Sequence, residues 1–185
     1  MQFRALTPVI LLGLFAAAQT TSACDASPAQ GGTATREAPR AAELRSATVR
    51  AAIDAAARVL RTRGYSPTRE ERRGFVVERT ALIDELPMRT GSCYVAIGAG
   101  SAALTSLELA LHDSDGAAVA HGAAPATSRA ALQFCPPHSG TYYLAARAAS
   151  GDGIVALRIF EGPSGLDVRV DDLFAPPEPP AGPTP

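Results

Sequence analysis

The chain has 185 residues, 46% of them hydrophobic, and a formal net charge of -1. That length supports one globular domain with extensions rather than two separate cores. The charge balance lacks the concentrated basic face that nucleic-acid binding requires, and the absence of Trp leaves few stacking platforms for sugars.

The N-terminus reads Met1-Gln2-Phe3-Arg4, then an apolar run through Val9, Leu11, Leu12, Leu14 and Phe15 to Ala18. A basic start, an apolar stretch of about ten residues and small residues after it describe a secretory signal peptide over residues 1–23. The stretch falls short of the roughly twenty apolar residues that span a bilayer, and no later segment is longer. The signal ends in Thr21-Ser22-Ala23-Cys24, which resembles a bacterial lipobox, although Thr21 stands where an aliphatic residue is usual. On that reading Cys24 receives a lipid and anchors the protein to a membrane. Ordinary signal cleavage fits the same residues, because Thr21 and Ala23 are small. Both readings cut before Cys24. Three cysteines leave one unpaired in an exported chain, and lipidation of Cys24 would leave Cys93 and Cys135 as a pair. Asp25 after the Cys resembles an inner-membrane retention signal of some bacteria.

Residues 24–39 are Ser, Gly, Ala, Thr and Pro with scattered charge, and read as a flexible tether. Residues 40–63 lack Gly and Pro, are rich in Ala, and precede Gly64, so a helix is expected there. Val49, Ile53, Ala56 and Leu60 share one face, and Asp54 pairs with Arg58 four residues on. Arg58, Arg61 and Arg63 complement the helix dipole at its C-terminal end. Such a helix could touch anionic lipid, but its narrow, mostly Ala face favours packing against the neighbouring domain.

From residue 64 to 163 the pattern is that of short strands. Expected strands are 74–79, 80–87, 93–97, 107–111, 117–121, 130–135, 141–148 and 154–160, separated by Ser114-Asp115-Gly116, Pro136-Pro137 with Gly140, and Gly151-Asp152-Gly153. Leu107, Leu109 and Leu111 alternate with polar or small residues, and Leu104 falls outside that alternation. The fold class is therefore mainly β: an antiparallel β-sandwich, jelly-roll-like, preceded by one helix. Residues 164–185 form a C-terminal extension whose end, 175–185, is Pro-rich and expected to be disordered.

The stretch 64–163 resembles the bacterial pre-peptidase C-terminal type of β-sandwich. The likeness lies in Gly91-Ser92-Cys93-Tyr94, Leu107-Glu108-Leu109-Ala110-Leu111, Asp115-Gly116-Ala117-Ala118-Val119-Ala120 and Ala131-Leu132-Gln133-Phe134-Cys135-Pro136. It continues in Ser139-Gly140-Thr141-Tyr142-Tyr143-Leu144 and Ala156-Leu157-Arg158-Ile159-Phe160. The resemblance implies a small module carried by secreted bacterial proteins, here without a peptidase domain.

A bond between Cys93 and Cys135 would close a loop of 42 sequence steps, and a structural disulfide is favoured over two inert thiols or a redox pair. His112, His121 and His138 match no zinc spacing and read as solvated, at two strand ends and in a loop. In His112-Asp113-Ser114-Asp115-Gly116 the carboxylates Asp113 and Asp115 are weak calcium candidates, helped if Asp152 lies nearby; a hairpin turn needs the same residues. Gly98-Ala99-Gly100 lacks the third glycine of a dinucleotide site, and no nucleophile elbow, zinc-protease motif or phosphate-binding loop occurs. Asp84-Glu85 and Asp171-Asp172 are sequence neighbours that would point to opposite faces of a strand.

The expected protein is non-catalytic, without a cofactor: an exported envelope lipoprotein whose sandwich serves as an interaction or accessory module. Its partners would be a membrane, through the Cys24 anchor, and an envelope protein or glycan. The loops 98–103, 112–116 and 136–140 are the candidate contact surface. An extracytoplasmic carbohydrate- or calcium-binding protein is the alternative, and a hydrolase with an unrecognised site is the least favoured.

Overall fold

The computed structural model describes residues 37–123, 127–165, 168 and 170–174. Signal, lipobox Cys24, most of the expected tether and the Pro-rich end 175–185 lie outside these residues. Helix α1 (Glu37–Thr62) leads into nine strands: β1 (Ser66–Pro67), β2 (Arg72–Val76), β3 (Ala81–Met88), β4 (Ser92–Gly100), β5 (Leu104–His112), β6 (Ala118–Ala123), β7 (Arg129–Phe134), β8 (Gly140–Gly151) and β9 (Gly153–Pro163). A 3₁₀ helix, Val170–Phe174, follows. The first sheet runs β1-β9-β4-β7, with β2 also paired to β9, and the second runs β3-β8-β5-β6. Every pairing is antiparallel. Over the described residues the protein is a mainly β, two-sheet antiparallel sandwich with one α-helix.

α1 starts three residues before the expected position, because Pro39 falls in the first turn, where its missing N–H has no helical partner to lose. It ends as the sequence indicates. Gly64 adopts φ 84°, its N–H bonds the Arg61 carbonyl at 3.1 Å, and the Tyr65 N–H bonds the Leu60 carbonyl at 3.0 Å. This is a Schellman closure, with Tyr65 and Leu60 in one apolar cluster. Val49, Ile53, Ala56, Ala57 and Leu60 are all buried, and they pack on Val95, Ile97, Ala156 and Phe160 of the first sheet. The apolar face therefore serves the domain, and the lipid-surface alternative for it falls. Ala56 and Ala57 at the middle of this face let the helix approach the sheet closely, between the larger Val49, Ile53 and Leu60.

β4 is buried on both sides along nearly its whole length. Tyr94 and Ala96 join the core between the sheets, while Val95 and Ile97 join the core under α1. A strand with two apolar environments reads as a continuous apolar run rather than as an alternation. β5 shows the opposite case and resolves the position of Leu104. Register shifts between Leu104 and Ser106, and between Ser106 and Leu107, change the strand's phase. Leu104 and Leu107 can then both face the inter-sheet core, at 1% and 0% exposure.

Several strands run longer than expected, and two further boundaries differ for a clear physical reason. β2 ends at Val76 rather than at Arg79, because Val77 to Thr80 closes a turn with the Thr80 N–H on the Val77 carbonyl at 3.0 Å. Arg79 sits there at φ 66°, held by a 2.7 Å bond from its N–H to the Ala148 carbonyl. The domain also runs past residue 163. Val168 and Leu173 are buried in the core under α1, and the Val168 N–H bonds the Gln133 side chain at 3.0 Å. Asp171 and Asp172 thus belong to the 3₁₀ helix and not to a strand.

Candidate functional site

β4 runs from Ser92, opposite Pro163, to Gly100, opposite Val155. β5 returns from Leu104, opposite Gly151, to His112, opposite Tyr143. These registers separate the three expected contact loops. Gly98 to Gly100 belong to β4, and the turn after them lies at the end that holds Gly151 to Gly153; the Ser101 N–H bonds the Ile154 carbonyl there at 2.9 Å. Loops 112–116 and 136–140 lie at the other end, beside Thr90, whose N–H bonds Ser139 Oγ at 2.9 Å. A single surface made of all three does not exist.

Cys93 and Cys135 form a disulfide at this second end, joining the start of β4 to the residue after β7. The pairing Tyr94↔Phe134 carries the two cysteines together. Cys93 is 1% exposed, whereas Cys135 is exposed. Next to them the Tyr142 hydroxyl donates to the His138 carbonyl at 3.1 Å, and burial followed by the charge of Asp113 raises its pKa.

Asp113 shapes a turn. Its Oδ1 accepts the N–H groups of Asp115 at 3.0 Å and Ala117 at 2.8 Å, while Gly116 adopts φ 82°. Asp115 is exposed. Asp152 does not join them: it lies at the opposite end, where its Oδ1 accepts the Glu78 N–H at 2.6 Å. Among the described residues no three His, Cys, Asp or Glu side chains converge as a metal-binding group. His112 closes β5, His138 lies in the β7–β8 loop, and His121 sits within β6 rather than at its end.

A concavity lies elsewhere, on the side where β3 of one sheet faces β1 and β9 of the other. It is a cleft of about 510 Å³. Leu86, Tyr94 and Ile159 line its base, and Arg69, Arg89 and Glu161 its mouth. The chain leaves β9 between β1 and β2, which brings Arg69 across the gap to β3: Nη1 lies 3.2 Å from Asp84 Oδ1, and Nη2 donates to the Glu85 carbonyl at 2.6 Å. On the far side Arg89 Nη2 donates to Glu161 Oε1 at 2.9 Å, and the Arg89 N–H donates to the Tyr94 hydroxyl at 3.0 Å. A hydrogen bond from Ser92 holds the Glu161 carboxyl below the usual carboxylate range; Arg89 and Tyr94 add to this, and burial opposes it.

Asp84 is the buried charge behind this mouth. It is 3% exposed, and Arg72 Nη1 also approaches Oδ1, at 3.7 Å. Its Oδ2 is buried without a hydrogen-bond partner among the described residues. Glu85 is exposed on the other face of β3, as strand alternation requires. The sequence pointed to none of Arg69, Arg89, Tyr94 or Glu161 as a group, because they come from four separate segments. One signal was present: Asp84 occupies a core position in the β3 alternation with Leu86 and Met88. A carboxylate there must find a cation.

Compared with known proteins, the chain matches no protein-family model and no curated protein.

Proposed function

We propose that this chain is a non-catalytic exported envelope protein, anchored through a lipid on Cys24, whose sandwich acts as an interaction module. The observation that carries the interaction reading is the asymmetry of the two sheets. The outer face of the first sheet is covered by the chain's own helix over β4 and β9, while Phe75 on its edge strand β2 is 68% exposed. No described residue covers the outer face of the second, where Ile83 is 58% and Tyr143 38% exposed. They border Ala110 and Ala145, a flat centre of small side chains across β5 and β8. A large apolar side chain left in water on a regular strand suits a partner surface. The disulfide supports export, since such bonds persist in oxidising compartments. The two antiparallel sheets, with Tyr142 and Leu144 of the stretch Gly140-Thr141-Tyr142-Tyr143-Leu144 facing the core, support the resemblance to pre-peptidase C-terminal sandwiches.

The intact mass of the natively exported protein, with and without reduction, tests the anchor. Cleavage before Cys24 plus acyl chains is expected; a bare chain beginning at Cys24 would refute it. The sequence contains no Lys, so cleavage leaves the α-amino group of Cys24 as the chain's one primary amine. An amine-reactive label therefore reports whether that group is also acylated. A photo-crosslinker at Tyr143, compared with one at the exposed helix position Arg50, tests the face. Equal yields from both positions would sink the interaction reading.

A further inference from the structure

Strand register gives the outer face of the second sheet a shape of its own. Ile83, Ala145, Ala110 and His121 stand opposite one another, in a row that crosses all four strands. On one side of it lies the row Glu85, Tyr143 and His112, and on the other Arg147 faces Glu108. Ala145 and Ala110 carry only a methyl group, so the middle row is a shallow trough between taller walls. With strands about 4.8 Å apart, the trough is about 15 Å long, and walls four residues apart along a strand stand about 13 Å from each other. This surface meets water: Glu85 and His121 are exposed, and the side chains of Arg147 and Glu108 are 52% and 39% exposed.

The direction of the trough and the chemistry of its walls select the occupant. A sheet face offers no free backbone N–H or C=O, so an extended peptide laid across the strands would leave its own amides unpaired over the alanines. A pyranose ring presents an apolar C–H face and a polar rim, which match an alanine floor beside an aromatic ring and polar walls. The walls hold donors and acceptors together. Arg147 and the Tyr143 hydroxyl donate, while Glu85 and Glu108 accept. His112 Nδ1 lies 3.2 Å from the Gly116 carbonyl oxygen, which leaves Nε2 for a ligand. Arg147 lies 3.7 Å from Glu108, so its charge is balanced on its own wall. Such a mixed set suits hydroxyl groups, which donate and accept at once, better than a strongly charged ligand. We infer that the trough binds a neutral oligosaccharide lying across the strands, with a ring against Tyr143 and hydroxyl groups on both walls. The inference rests on the reading of this face as an interaction surface and names its partner as a glycan.

Titration calorimetry on the exported full chain carrying Cys24→Ser tests the site without an attached lipid. The probes are maltohexaose, cellohexaose and chitohexaose, with glucose as a short probe and a sulfated heparin hexasaccharide as an anionic one. One-to-one binding of at least one neutral hexasaccharide is expected, with no heat from glucose or from the sulfated chain. Tyr143→Ala should weaken that binding about tenfold, while Tyr143→Phe, which keeps the ring, should stay close to the parent. Phe75→Ala removes the exposed ring of the other sheet and should leave binding unchanged. No heat from any of the three neutral chains, tighter binding of the sulfated chain, or a Tyr143→Ala variant that binds like the parent would overturn the assignment. A crosslink from Tyr143 to a protein without any saccharide heat would remove the glycan and keep the interaction reading; loss of both would remove the two together.

Discussion

Replacing Cys93 and Cys135 together by Ala removes a cross-link spanning 42 residues. The chain-entropy relation for a loop of that length gives about 4 kcal/mol, acting on the unfolded ensemble. The folded state should change little. β4 and β7 remain paired from Tyr94↔Phe134 to Ala99↔Arg129, so the two cysteine positions stay adjacent without the bond. Against a total stability of about 5–15 kcal/mol, the loss is a large fraction. With a urea m-value of about 2 kcal/mol/M, the unfolding midpoint should fall by about 2 M while the folded-state circular dichroism is kept. The parent protein under reducing conditions should fall by a similar amount, because Cys135 is exposed to the reductant. A loss below about 1 kcal/mol would refute the entropic argument. It would mean that the unfolded chain already holds these segments close, or that the folded state is relieved when the bond is removed.

Three further outcomes follow from the packing and charges. A methyl group at Gly122 would lie 2.0 Å from the Ala131 carbonyl oxygen, so Gly122→Ala must push β6 from β7 and should cost about 1–3 kcal/mol; an unchanged melting curve would contradict that close approach. The Asp84 cluster should respond asymmetrically. Removing Arg69 and Arg72 together strands a buried carboxylate and should cost about 3–5 kcal/mol, whereas Asp84→Leu leaves two guanidinium groups that can turn to water and should cost less; equal losses by denaturant titration would refute this. Glu161 sets a pH dependence. Unfolded, it takes up its proton near its ordinary value of 4.5, while the folded group resists to lower pH. Between the two values the unfolded state binds more protons, so stability is lost as pH falls below about 4.5 and through the folded value. Glu161→Gln should flatten the decline of melting temperature between about pH 5 and 3, and parallel curves for the two proteins would remove Glu161 as its cause.

Much of the architecture was legible because its signals are local. The Schellman closure at Gly64 and the turn at Asp113 to Gly116 depend on residues within a few positions of each other. The helix face built on Val49, Ile53, Ala56 and Leu60 follows from the helical period alone. Leu104 shows where such reading stops. Its place in the core depends on register shifts against β8, and a one-residue change of phase cannot be seen in the spacing of leucines. The part that residues beyond 163 play in the core is hidden for a related reason. Val168 and Leu173 are isolated apolar residues in sequence and acquire a role only by reaching the core beneath α1.

The elements are written locally: an amphipathic helix, short strands with glycine turns, and a cysteine pair at matching strand ends. Those features are written in backbone preference and in alternation of side chains, which act over a few residues. Which ends meet depends on long-range strand pairing. It separated the three expected loops between opposite ends of the sandwich, and it took Asp152 away from Asp113 and Asp115. It also brought Arg69, Arg89 and Glu161 from distant segments to one mouth. That outcome follows from the order of strands across two sheets, where antiparallel pairing fixes which ends are neighbours and the buried Asp84 carboxylate draws in the cations that close the gap.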